Sequence, residues 1–199
     1  MNRVCPIRDR KKIKVLKLLL ETRGDYRDLL LFTLGINTGL YISDILSMKW
    51  ALFLTDTGRL KKTGSKIAIK ERKTKKMKIF ILNKPIYRAL NLYFNHLESL
   101  SKDDYVFASQ KLENGRIRPI TRQYAWFLLN KYAKMVGIHQ KIGTHTLRKT
   151  FGYHLYKKGV PLYKIQEALN QVSPSATLRY IGVAEELDEY DTTYISPNL

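Results

Sequence analysis

The chain lacks three common features, and each absence removes a class of function. Cysteine is nearly missing: the single Cys5 permits neither an internal disulfide nor a thiolate metal site. No apolar run approaches the ~20 residues of a membrane-spanning helix, and the opening MNRVCPIRDRKKIK is too charged for a secretory signal. Negative charge is scarce as well, with 17 Asp and Glu against 36 Lys and Arg, a formal charge of +19. These traits point to the cytoplasm and to a polyanionic partner, because self-repulsion on that scale opposes compactness. Nucleic acid is the first expectation, ahead of an anionic membrane surface.

What is present is ordinary for a folded domain. Of the 199 residues, 44% are hydrophobic and 27% charged, enough to bury a core and too apolar for wholesale disorder. Internal repeats and low-complexity linkers are absent. The charge is uneven. Ten Lys and Arg lie between Arg59 and Lys78 with one acid, Glu71, whereas the chain beyond Arg179 has acids and no bases. A basic middle and an acidic end can attract each other, within one molecule or between neighbours.

The hydrophobic period gives a coarse map. Ile13, Leu16, Leu19 and Leu20 recur at helical spacing, and Gly24 is a natural stop. Residues 26–34 read as a buried helix, and a third begins near Ser43 with Ile42, Ile45 and Leu46 inward. The period then changes. Residues 66–73 and 76–82 alternate apolar and charged side chains, which predicts a hairpin with one wet face carrying most of the basic run. Helices are expected again at 85–100, 121–136, 144–158, 161–169 and 174–180. The fold class is α+β, mainly α, with one small antiparallel sheet. The expected organisation is a basic helical extension over 1–24, a main domain over 25–182 and an acidic tail over 183–199.

Five separated stretches carry chemistry: TGLYISDILSMKW (38–50), ERKTKK (71–76), THTLRKTFGYHL (144–155), residues 159–169, and SPSATLRYIG (173–182). His145 and Arg148 stand three apart and so share a helix face. Alone, either is an ordinary residue of a basic helix, and Tyr180 is one of 13 tyrosines. In this order and spacing the chain resembles the catalytic domain of the tyrosine recombinases of the phage integrase family, over Asp25 to Gly182. The resemblance implies that Tyr180 attacks a DNA phosphate to form a 3′-phosphotyrosyl link. It makes Arg148 one arm of a phosphate clamp, His145 its hydrogen-bonding and proton-handling companion, and Lys73 the acid that protonates the leaving 5′-oxygen. Seven other lysines share that twenty-residue stretch, so Lys73 is equally readable as a phosphate-contacting or solvated lysine. Asp44 falls where the family carries a supporting acid. Lys70, Arg72, Lys75, Lys76, Lys78 and Lys149 are the candidate DNA contacts. No cofactor and no metal are implied, and the partners are double-stranded DNA and other protomers reached through the tail.

Two positions depart from the family pattern. Its first clamp arginine is Tyr41 here, offering one neutral O–H in place of five donors and a charge. The histidine nine residues before the nucleophile is Gln171. Three functions therefore stay open: a working recombinase, a DNA-binding regulator that does not cut, and an accessory protein that tunes a recombination assembly.

Overall fold

The structure, a computed structural model, describes residues 4–113 and 116–184. The acidic tail expected from 183 onward lies almost wholly outside the described residues. Among the described residues, eight α-helices and two hairpins follow in order: α1 (Arg10–Thr22), α2 (Tyr26–Thr38), α3 (Ile42–Leu46), β1 (Lys66–Lys70), β2 (Met77–Ile81), α4 (Lys84–His96), β3 (Ala108–Glu113), β4 (Arg116–Pro119), α5 (Arg122–Met135), α6 (Thr144–Lys157), α7 (Leu162–Ala168) and α8 (Pro174–Ile181). The fold is mainly helical, as the sequence implies. Among the described residues no helix is long and apolar enough to cross a membrane.

Helix starts follow local chemistry. Asp9, Asn83, Thr121 and Ser173 each accept a backbone N–H of the first turn, at α1, α4, α5 and α8. Gly39 ends α2 at φ 62°, a left-handed conformation that favours glycine. A Cβ there would also meet the Phe151 ring at 2.4 Å, so α2 turns sharply beside α6.

Two hydrophobic clusters organise the domain. The larger is centred on α2, nearly buried all round through Leu29, Leu30, Leu31, Phe32 and Leu34, and α1 joins it through Leu16 and Leu20. The smaller holds Tyr153, Ile165, Leu169, Ile181 and Val183, with Leu178 and Tyr180 packed at its edge. Helix α6 belongs to both, giving Leu147 to the first and Tyr153 to the second. It meets α8 closely at Gly152, where a Cβ would come within 2.6 Å of Ile181 and 2.7 Å of Leu169. The segment before α1 is strapped over the same region: the Cys5 N–H donates to the Lys141 carbonyl at 3.1 Å, the Ile7 N–H to Thr150 Oγ1 at 2.9 Å, and Arg8 Nη2 to the Gly182 carbonyl at 2.6 Å.

Two expectations about the strands need correction. Among the described residues there are two separate two-stranded antiparallel sheets, β1–β2 and β3–β4, instead of one. The hairpin's wet face also does not carry Lys78, one of the expected DNA contacts. Its register pairs Ile67 with Phe80 and Ile69 with Lys78. Phe80 and Lys78 consequently share the inner face with the two isoleucines, while Met77, Ile79 and Ile81 are exposed. Lys78 is thus no surface cation: its Nζ donates to the Ala168 carbonyl at 2.7 Å and stands 3.7 Å from Glu71 Oε1.

Candidate active site

Arg148 is the centre of the site. It is 1% exposed, and its Nη1 donates to the Gly39 carbonyl. Its Nη2 is buried without a hydrogen-bond partner, a costly state for a guanidinium unless an anion completes it. The Tyr41 ring lies over the guanidinium carbon at 4.0 Å, a cation–π contact. Tyr41 precedes α3, so the Gly39 turn brings residue 41 beside Arg148.

Around this pair a cleft of about 180 Å³ opens, lined by Leu40, Tyr41, Ile42, Ser43, Lys73, Arg122, Thr144, His145 and Arg148. Lys73 is exposed in the turn after β1, with Nζ 5.6 Å from the Tyr41 ring centre. His145 stands edge-on to that ring, centroids 6.5 Å apart. Its pKa is lowered, first by burial of part of the ring and then by Arg122, Arg148, Lys149 and Lys73, all of which disfavour a second positive charge. The first turn of α6, bearing Thr144 and His145, adds the partial positive charge of a helix start. The cleft is suited to a tetrahedral anion.

Tyr180 lies beside this cleft without lining it. Burial raises its pKa, with Arg148 opposing and Tyr41 adding to the rise. Lys149, expected as a surface DNA contact, is instead buried, with Nζ 5.3 Å from the Tyr180 ring centre. Gln171 is not brought into the cleft: its Nε2 donates to the Leu169 carbonyl at 3.3 Å. Lys70, Arg72, Lys75 and Lys76 are exposed on the hairpin, where a backbone could meet them.

The turn carrying Lys73 is held from below. Asp44 is buried and its Oδ1 accepts the Arg72 N–H at 3.0 Å. Burial raises the Asp44 pKa, against the pull of the Arg72 hydrogen bond. Glu71, 1% exposed, accepts Thr74 Oγ1 at 2.7 Å and Asn170 Nδ2 at 3.0 Å. Lys78 completes the group, its pKa lowered to about 8 by burial and by Arg148, with Glu71 opposing. Two acids and two bases, Asp44, Glu71, Lys78 and Arg148, therefore balance one another under the cleft.

Sequence reasoning missed two residues here. Glu71 had a visible signal, being the only acid among ten bases. Arg122 had none, since its neighbour in the cleft, Thr144, is 22 residues away in the chain.

Comparisons with known proteins bear on the family and the fold. Residues 10–186 match the phage integrase family. The chain is 35% identical over 188 residues to the probable integrase/recombinase YoeC of Bacillus subtilis (strain 168), covering 94% of this chain and 93% of that protein. It is 30% identical over 173 residues to a tyrosine recombinase of Pseudothermotoga lettingae, covering 87% of this chain but only 55% of that protein. Among solved structures, XerH recombinase in a post-cleavage complex with its palindromic difH substrate superposes with a TM-score of 0.70 at 23% identity, over 94% of this chain and 53% of that one. XerA recombinase gives 0.69 at 20% identity, over 94% and 65%. At that identity the structures speak for the fold, and the sequence match speaks for the family. The chain belongs to the phage integrase family, the tyrosine recombinases.

Proposed function

We propose that this protein cuts and rejoins double-stranded DNA through a covalent link at Tyr180. The observation that carries the reading is the buried, half-unpaired guanidinium of Arg148, set between Tyr180 and a cleft lined by His145 and Lys73. In this reading Tyr180 Oη attacks the scissile phosphorus and passes its proton to neutral His145 as the P–O5′ bond breaks, and His145 returns it when Tyr180 is released. Lys73 Nζ gives a proton to the departing 5′-oxygen, and His145 hydrogen-bonds the non-bridging oxygens beside Arg148. A 5′-hydroxyl of another strand then attacks the phosphotyrosine, restoring the phosphodiester and freeing Tyr180. The bond energy is kept throughout, so no nucleotide triphosphate is consumed.

Asp44 and Glu71 act through position, holding the turn that presents Lys73. The exposed Lys70, Arg72, Lys75 and Lys76 grip the DNA backbone and add affinity without reading sequence. Assembly of protomers through the acidic segment after Gly182 completes the reading; removing it is expected to reduce multimers on DNA. The test is covalent capture on a nicked duplex carrying the sequence that the protein selects from a random pool. Wild type is expected to yield a protein–DNA adduct and Tyr180→Phe none. Adduct formation by Tyr180→Phe would reject Tyr180 as the nucleophile.

A second reading, a family member that binds DNA without cutting it, has one observation in its favour. The Tyr41 ring occupies a face of Arg148 and brings no charge of its own. On that reading wild type yields no adduct while binding the selected duplex, and Tyr41→Arg creates one.

A further inference from the structure

We propose that Arg122, in the first turn of α5, supplies the second guanidinium for the DNA phosphate in the cleft, the part that Tyr41 cannot play. The inference rests on the strand-cleavage reading for its chemistry and on the cleft for its geometry. Arg122 lines the same cleft as Arg148, His145, Lys73 and Tyr41. Its Nε donates to Thr144 Oγ1 at 3.4 Å, which holds the side chain across the start of α6. Among the described residues its two terminal nitrogens have no hydrogen-bond partner, and the residue is exposed. A guanidinium tethered at Nε with both Nη groups uncommitted is ready for a bidentate phosphate contact.

Two further observations agree. Of the four cations that depress the His145 pKa, Arg122 acts most strongly, so its charge is closest in effect to the group that handles the phosphate. The placement is also unfavourable without an anion: a cation in the first turn of α5, beside the start of α6 and three more cations, opposes both helix dipoles. Arg148 approaches from the buried side of the cleft and Arg122 from the open side. A phosphate between them meets two forks, as the family's chemistry requires, but the second fork comes from α5 and not from the residue at 41.

The rate of adduct formation is measured on the selected nicked duplex, with equilibrium binding to the same duplex in parallel. Arg122→Ala is expected to slow adduct formation by ~10²–10³-fold, the usual effect of losing one transition-state donor, with a much smaller loss of binding. Arg122→Lys recovers part of the rate, and adding Tyr41→Arg to Arg122→Ala recovers more. An unchanged rate in Arg122→Ala overturns the inference and leaves cleavage through Tyr180 standing. If wild type forms no adduct, cleavage fails on its own, and inorganic phosphate decides the matter by NMR of the His145 ring. Phosphate-dependent shifts in wild type that vanish in Arg122→Ala uphold the second guanidinium. Shifts that are equal in both, or absent in wild type, overturn it.

Discussion

At the scale of single residues, the site gathers Arg148, Arg122, Lys73 and His145 around one cleft. His145 shows this through its titration. Its pKa in the free protein lies below the ordinary 6.5, and a phosphate at the cleft would raise it by favouring the imidazolium. Binding therefore takes up a proton, and affinity for DNA is expected to rise as pH falls through the window just below 6.5. A titration of binding against pH checks this, and His145→Gln should flatten the slope. His154, also lowered but bonded to the Ile7 carbonyl, is the control that should leave the slope intact. Gly39 carries a different burden. With φ at 62° and Phe151 against its α-carbon, Gly39→Ala is expected to cost at least ~1–2 kcal/mol in denaturant unfolding. His145 and Arg148 were legible as neighbours on one helix face from their spacing, whereas Tyr180 stood out among 13 tyrosines only through the family resemblance. Arg122 was not legible, because only the packing of α5 against α6 brings it near.

Among the elements, the β1–β2 hairpin taught most. Its existence followed from alternation, but its inner face did not. Met77, Ile79 and Ile81 are the more apolar set of β2, yet the register with β1 turns Lys78 and Phe80 inward. Lys78 can be buried because Glu71 and the Ala168 carbonyl receive it, and both partners come from outside the strand. The second hairpin, β3–β4, was overlooked although Asn114–Gly115 is a hairpin signal in the sequence. The Lys78–Glu71 pair yields a prediction. Glu71→Ala removes the counter-charge of Lys78, which keeps only the Ala168 carbonyl, and the acceptor of Thr74 and Asn170, and should cost ~3 kcal/mol of stability. Adding Lys78→Met should return much of it, which a double-mutant cycle measures. Since the folded pKa of Lys78, about 8, lies below its ordinary 10.5, the unfolded chain binds more protons between those values. Stability gained from this group thus rises with pH across that window, and Lys78→Met should remove the rise.

For the whole molecule, charge and layout matter together. A formal charge of +19 predicts that DNA binding weakens steeply with salt, the slope of log affinity against log salt being about −0.9 for each phosphate neutralised. A flat response would argue against DNA as the partner. The acceptor of Arg148 comes from the end of α2, in the large cluster, whereas Tyr180 packs against the small one. Alignment of Tyr180 with Arg148 therefore depends on how the small cluster seats on α6. Gly152→Ala, which intrudes on Ile181 and Leu169, should slow cleavage more than it weakens DNA binding. The segment before α1 bears on the same alignment. Through Ile7 and Arg8 it is fastened to α6 and to the carbonyl of Gly182, two residues beyond Tyr180. It works as a splint across the joint, so a fusion tag, a label or a second protein pulling on this segment acts as a lever on Tyr180.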